Sequence, residues 1–142
     1  MLKVILRRNC SKKITLVKEL TLTLRGMRRS TVYEIINNAD KLELRIYREI
    51  FSNGEIILEL ENSTMVDIHI FIELMNNCGV ICWDGFHGKH PRNVKDGIMF
   101  GFTAIVNDGQ TIRADGSENF PKGYHEFVRG LNNMFEDYIR EY

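Results

Sequence analysis

Two short turns, each set between alternating apolar residues, constrain the fold of this chain more than any other feature of its sequence. Asn53-Gly54 and Asp108-Gly109 supply residues that tolerate positive φ, and apolar side chains recur at every second position on both sides of each turn. Turns of this length join neighbouring antiparallel strands, because parallel strands need a long crossover. The expected hairpins pair residues 42–50 with 56–60 and residues 98–106 with 112–114.

The same alternation begins near the N-terminus. Residues 2–7 and 20–25 each predict a half-buried strand. The two faces of the first strand are Leu2, Val4 and Leu6 on one side and Lys3, Ile5 and Arg7 on the other. The phase breaks at Leu16-Val17, which indicates a bulge or bend. Residues 31–36 are mostly β-branched and predict a further short strand, with a helical turn as the alternative.

Two segments show the spacing of three and four residues that is typical of amphipathic helices. Residues 65–77 predict the first helix, with Thr64 and Asp67 as capping residues and Gly79 as its stop. Residues 123–139 predict the second, with Pro121 just before its start. The apolar faces are Ile68, Phe71, Ile72 and Met75 in the first helix and Tyr124, Phe127, Val128, Leu131, Phe135, Tyr138 and Ile139 in the second. A short strand is expected between them, over residues 80–83.

These elements together predict an α+β fold. Tight turns join neighbouring strands and no βαβ crossover is visible, so an antiparallel sheet of about six to eight strands built from hairpins is expected. Both helices, at about 65–77 and 123–139, are expected to pack on one face of this sheet. A chain of 142 residues without a linker or repeat predicts a single domain over residues 1–142.

Composition narrows the class of protein. The chain is 44% hydrophobic and 27% charged, as globular domains are, and its three cysteines are an odd number that argues against a disulfide framework. No apolar run approaches the roughly 18 residues that a membrane helix needs. Arg7-Arg8 follow the N-terminal apolar residues, which reverses the order of a secretory signal. A cytoplasmic location without a membrane partner is therefore expected.

Charge is distributed unevenly along the chain. Residues 1–50 hold twelve Lys and Arg against five Asp and Glu, a net charge of +7, and the remainder carries −7. The basic residues near predicted turns are expected to form one surface that binds a protein or a nucleic-acid-containing complex. They are Arg7, Arg8, Lys12, Lys13, Arg25, Arg28 and Arg29. The surface requires that both basic clusters lie at the same end of the sheet; the alternative is that the two halves interleave and neutralise each other.

Two thiols and two imidazoles fall within thirteen residues, at Cys78, Cys82, His87 and His90. Zinc takes four such ligands tetrahedrally, so a small metal-dependent or Cys/His enzyme built on residues 78–90 is an alternative hypothesis. The Cys-x3-Cys spacing departs from the Cys-x2-Cys of zinc knuckles, and buried cysteines more often act as small apolar residues. No metal, cofactor or catalytic residue is therefore predicted.

The irregular segment after residue 83 is a second candidate binding site, because loops on a rigid scaffold often carry function. Its candidate residues are Trp83, Asp84, Phe86, His87 and His90. The alternative is that Trp83 packs against Tyr124 in the core, since large aromatic side chains fill cores as well as interfaces. The glycines of this segment match neither a phosphate loop nor a dinucleotide fingerprint.

The C-terminal 60 residues carry a pattern that resembles small uncharacterised proteins of Gram-positive bacteria. The pattern consists of Trp83-Asp84-Gly85-Phe86, Asp96-Gly97, the run GQTIRADGS over residues 109–117, Asn119-Phe120-Pro121 and Tyr124. The resemblance implies a bacterial or mobile-element domain with a shared fold, and it implies no activity.

A non-catalytic binding or regulatory protein that docks on a macromolecular partner through its basic N-terminal turns is the leading hypothesis. A phage or mobile-element inhibitor, similar in manner to an anti-CRISPR protein, that binds a nucleic-acid-processing complex is a second hypothesis. Both fit a small chain in which no complete catalytic motif is visible.

Overall fold

The computed structural model describes residues 12–39 and 41–139, with side chains described as far as residue 135. The predicted strand over residues 2–7, with Arg7 and Arg8, lies outside these ranges, as do the side chains of Tyr138 and Ile139. In chain order the elements are β1 (Val17–Arg25), β2 (Ser30–Asn38), β3 (Lys41–Ser52), β4 (Glu55–Val66), α1 (Ile68–Asn77), a 3-10 helix (Val80–Trp83), β5 (His87–Gly88), β6 (Met99–Val106), β7 (Gln110–Ser117) and α2 (Tyr124–Ile139). Neither of the two described α-helices is long and apolar enough to cross a membrane.

The seven strands of the described ranges form one sheet in the order β4-β3-β2-β1-β6-β7-β5. Every pairing is antiparallel except that of the two-residue β5, which runs parallel to β7. The predicted α+β fold is therefore confirmed, as a mainly antiparallel sheet built from hairpins with two helices. β1 lies inside the sheet, where it joins the meander of β1 to β4 to the hairpin of β6 and β7.

An aromatic cluster holds the helices and the sheet together. Phe71 of α1 and Phe127 of α2 meet edge to face, with 6.2 Å between ring centroids. Trp83 lies at 5.0 Å from Phe102 of β6 and at 5.4 Å from Phe127. All of these rings are buried in one core with alternate residues of β1, such as Leu22. Full burial of one such side chain contributes about 1.5–3 kcal/mol, so the cluster is a main source of the stability of the helix layer.

The first helix begins three residues later than predicted. α1 starts at Ile68, because β4 continues through Val66, and the N-cap residue is Asp67 and not Thr64. The Asp67 carboxylate accepts hydrogen bonds from the backbone N–H groups of the second and third helical residues at 2.8 and 3.1 Å. A side chain that satisfies these unpaired N–H groups fixes where a helix begins.

The strand predicted over residues 80–83 is wrong, since this segment is a 3-10 helix. Gly79 adopts φ 67, and its carbonyl accepts a hydrogen bond from the N–H of Cys82 at 2.9 Å. Four consecutive apolar residues have no periodicity that separates a strand from a helical turn. The left-handed glycine decides the conformation, because it turns the chain directly after α1.

Two irregularities in register shape the sheet. The bulge expected near Val17 is confirmed, as the pairing of β1 with β6 shifts between Val17 and Glu19. A second shift lies between Ile46 and Tyr47 in the pairing of β3 with β4. This shift changes which face of the sheet the side chains of β4 occupy. As a result, Leu58 lies on the face opposite to the one on which Leu44 is buried.

The two predicted turns differ in length. Asn53 and Gly54 have φ 52 and 80, as the predicted two-residue turn requires. The second turn contains three residues, because Val106 pairs with Gln110 and Asn107 adopts φ 54 before Asp108 and Gly109. The Asn107 carboxamide also accepts from the N–H of Thr15 at 2.7 Å, which positions the segment before β1.

Candidate functional site

The two described clusters of the predicted basic surface lie at opposite ends of β1. Lys13 lies where β1 begins, and its carbonyl accepts a hydrogen bond from the Asn107 carboxamide at 3.1 Å. Arg25 ends β1, and Arg28 and Arg29 follow in the turn to β2. Nine strand residues separate the two ends by about 30 Å. The structure therefore does not bring Lys12 and Lys13 together with Arg25, Arg28 and Arg29.

The second of these clusters is part of a larger surface at its end of the sheet. We name this the turn surface, and it consists of residues 26–30 and 48–51. It contains an open concavity of about 270 Å³ that is lined by three arginines, by polar and acidic residues and by apolar residues, namely Arg28, Arg29, Arg48, Ser30, Glu49, Met27, Ile50 and Phe51. Met27 and Phe51 are 79% and 71% exposed. The turn surface therefore combines basic side chains with two large apolar side chains that are open to solvent.

The arginines near the turn surface differ in their ion pairs. The Arg25 guanidinium contacts the Glu49 carboxylate at 3.1 Å, and this hydrogen bond raises the pKa of Arg25. Arg29 contacts Glu61 at 2.6 Å. Among the described residues, Arg28 and Arg48 form no ion pair. They are therefore the arginines of this surface that are not held in a described ion pair, although Glu59 lies opposite Arg48 on β4.

Arg48 and Phe51 were not among the sequence candidates. Arg48 reaches the surface because β2 and β3 pair Thr31 with Arg48, which sets it beside the turn that follows β1. A sequence signal existed for Phe51, since a large aromatic residue two positions before Asn53 is close to the solvent-exposed tip of a hairpin.

Trp83 is buried, so it cannot contact a partner as the loop hypothesis proposed. Its ring is 1% exposed, and its indole N–H donates to the carbonyl of Lys122 at 2.9 Å. The Tyr124 ring lies 6.1 Å away, which is the core packing that the sequence left as the alternative. Asp84 accepts from the N–H of Arg113 at 3.0 Å, so this carboxylate has a structural role in the loop.

The remaining loop candidates contact neighbouring strands. The Phe86 ring packs against Phe100, with 6.2 Å between centroids. The His87 imidazole contacts the carboxylate of Asp115 on the exposed side of β7. His90 forms a hydrogen bond with the hydroxyl of Ser117 at 2.7 Å. These contacts hold the segment against β6 and β7.

The metal hypothesis receives no support from the part of the chain that the structure describes. No group of three or more His, Cys, Asp or Glu side chains is placed there to hold a metal ion, so Cys78, Cys82, His87 and His90 do not converge. Cys78 caps the end of α1, and burial, with the nearby Glu126, raises the pKa of its thiol. A raised pKa lowers the thiolate fraction, which a nucleophilic role requires.

Two of the larger concavities in the described ranges lie near the loop and above the sheet. One of about 890 Å³ lies between the end of α1 and the start of α2, with Cys78, Phe120 and Lys122 in its walls. The other, of about 430 Å³, lies above Gly101 on the sheet, with Thr21 and Arg113 at its sides. Neither contains a cluster of buried polar groups, since no buried polar or charged residue occurs in the described ranges.

One edge of the sheet is exposed and apolar. β4 pairs with β3 on one side and, within the described ranges, with no strand on the other. Its side chains Ile56, Leu58 and Leu60 are each about half exposed. Exposed edge strands of this length are templates for pairing with a further strand.

Comparison of the chain with known proteins found no match. No family model matches the chain, and no curated protein or solved structure matches it significantly. The functional argument therefore rests on the geometry of the described surfaces.

Proposed function

We propose that this chain is a non-catalytic binding protein that docks on a partner protein through the turn surface. The observation that carries the proposal is the proximity of Arg28 and Arg48, which form no described ion pair, to the exposed side chains of Met27 and Phe51. Arginine, methionine and aromatic residues are enriched at protein interfaces, and arginine is enriched among the residues that dominate binding energy.

The charge of the turn surface favours a protein over a nucleic acid. Arg25 and Arg29 each form an ion pair with a glutamate, which leaves Arg28 and Arg48 outside the described ion pairs. Affinity for nucleic acid comes mainly from several basic side chains that each neutralise a phosphate, so two arginines without ion pairs fit such a partner poorly. A protein segment with one or two acidic residues beside an apolar anchor fits the surface better, because Phe51 and Met27 are available for apolar contact. A regulator or inhibitor encoded by a bacterial mobile element would use the same surface.

The test compares protein capture by the parent chain and by variants of exposed residues. We expect proteins cross-linked to the parent in a bacterial lysate to be lost with Arg28→Glu, Arg48→Glu and with Phe51→Asp. The matched control is Lys12→Glu, Lys13→Glu, which reverses two exposed charges at the other end of β1. Exposed substitutions change stability by about 0.5 kcal/mol or less, so circular dichroism should show the same fold for all variants. Equal capture by the parent and the turn-surface variants would contradict the proposal.

A further inference from the structure

The outer edge of β4 has the properties of a strand that accepts another strand. Nine of the twelve residues of β4 are exposed, and within the described ranges no strand pairs with its outer edge. Unpaired N–H and C=O groups along such an edge pair readily with an extended segment, and apolar side chains on both sides give the added strand something to pack against.

The two faces of β4 differ in chemistry, and this determines which segment fits. One face presents Ile56, Leu58 and Leu60, while the opposite face presents Glu55, Ile57 and Glu59. A matching strand therefore needs three apolar residues on one face. On the other face it needs a basic, an apolar and a basic residue in that order, because opposite charges across neighbouring strands stabilise pairing and like charges destabilise it.

Residues 2–7 of this chain have this pattern. We propose that residues 2–7 of a second copy add to β4 as an antiparallel strand, so that two copies of the chain associate by donating this segment to one another. In the matching register every pair is apolar with apolar or basic with acidic. The pairs are Leu2 with Leu60, Lys3 with Glu59, Val4 with Leu58, Ile5 with Ile57, Leu6 with Ile56 and Arg7 with Glu55.

Residues 2–7 of the same chain cannot reach the outer edge of β4 in the antiparallel register. Residues 13 and 14 are held at the end of the sheet where β1 begins, since the Ile14 N–H donates to Asn76 at 2.9 Å and the Lys13 carbonyl accepts from Asn107. Glu55 lies eleven residues along β4 from that end, a distance of about 36 Å. Six residues from Lys13 to Arg7 span at most about 22 Å.

The parallel direction does not bring the segment within reach either. There Arg7 would face Glu59, which lies seven residues along β4 and three strands away from β1, or about 27 Å in all. This also exceeds the span of about 22 Å from Lys13. A donor segment must therefore come from another molecule.

Direct pairing of two β4 strands is the competing arrangement, and charge opposes it. Antiparallel pairing centred on Ile57 sets Glu55 of one copy against Glu59 of the other. Pairing centred on Leu58 sets Glu55 against Glu61. Like charges directly opposite each other are unfavourable, so the basic N-terminal segment fits β4 better than β4 fits itself.

A charge-swap experiment on the full-length chain tests the proposal by analytical ultracentrifugation. We expect the parent to self-associate, and we expect both Lys3→Glu, Arg7→Glu and Glu55→Lys, Glu59→Lys to raise the dissociation constant at least tenfold. An equimolar mixture of the two variants should associate as the parent does, because each donor segment then meets a β4 of opposite charge. Association should also weaken as salt is raised.

Two outcomes would overturn the inference: a parent that stays monomeric at 100 µM in low salt, or a mixture of the two variants that associates no more than each alone. Circular dichroism of every variant shows whether a loss of association follows from unfolding. Arg28→Glu alone should leave self-association unchanged, because Arg28 lies in the turn between β1 and β2 and forms no described ion pair with β4. The result is therefore independent of the docking function proposed above.

Discussion

Asn107 shows how a single side chain can position a segment that has no regular structure. Its carboxamide accepts from the N–H of Thr15 at 2.7 Å and donates to the carbonyl of Lys13 at 3.1 Å. These partners are 92 and 94 residues away in sequence. The turn around Asp108-Gly109 was predictable because turn chemistry is local, but this contact was not, because a long-range hydrogen bond leaves no pattern in the sequence.

Asn107→Ala is expected to destabilise the fold by about 1–3 kcal/mol, since it leaves backbone groups of residues 13 and 15 without their partner. The backbone at this position has φ 54, which asparagine tolerates better than alanine. Asn107→Gly is the matched control, because glycine removes the hydrogen bonds but accepts the backbone conformation. In urea unfolding we expect midpoints in the order parent, Asn107→Gly, Asn107→Ala. A parent-like midpoint for Asn107→Ala would show that the contact adds no stability.

At the scale of elements, the hairpins and the second helix followed from periodicity, while the orientation of β4 did not. Its alternation predicts a strand, but the register shift between Ile46 and Tyr47 decides which face points to the core. The candidate site was likewise predictable only in part. The sequence indicated Arg28 and Arg29 as exposed turn residues. Their proximity to Arg48 and Phe51 depends on strand pairing that only the folded chain displays.

Phe127→Ala is expected to destabilise the fold by about 3–5 kcal/mol, because α2 then leaves a cavity in the aromatic cluster. The Phe127 ring is fully buried between Phe71, Trp83 and Phe102. Phe51→Ala removes the same side chain from an exposed position and should change the free energy of unfolding by about 0.5 kcal/mol or less. Similar chemical-denaturation midpoints for the two variants would mean that α2 does not pack on the sheet as described.

At the scale of the whole molecule, strands of the acidic half flank the contiguous strands of the basic half in the described sheet. β4 pairs with β3, and β6 pairs with β1, so strands from after residue 50 flank those from before it on both sides. The ion pair of Arg29 with Glu61 joins the two halves directly. This arrangement places the strands of the basic half between strands of the acidic half, and it makes β1 the shared element of the meander and the β6–β7 hairpin.

Because β1 belongs to both parts of the sheet, we expect the described domain to unfold as one cooperative unit. Leu44→Ala tests this from the meander, where Leu44 is fully buried, and it should destabilise the fold by about 2–5 kcal/mol. Trp83 is the single tryptophan and contacts β6 and α2, so its fluorescence reports on the other part of the core. In a two-state transition the fluorescence midpoint and the far-ultraviolet circular dichroism midpoint must fall by the same amount in Leu44→Ala. A lower dichroism midpoint with an unchanged Trp83 midpoint would instead show that the meander unfolds separately from the core around α2.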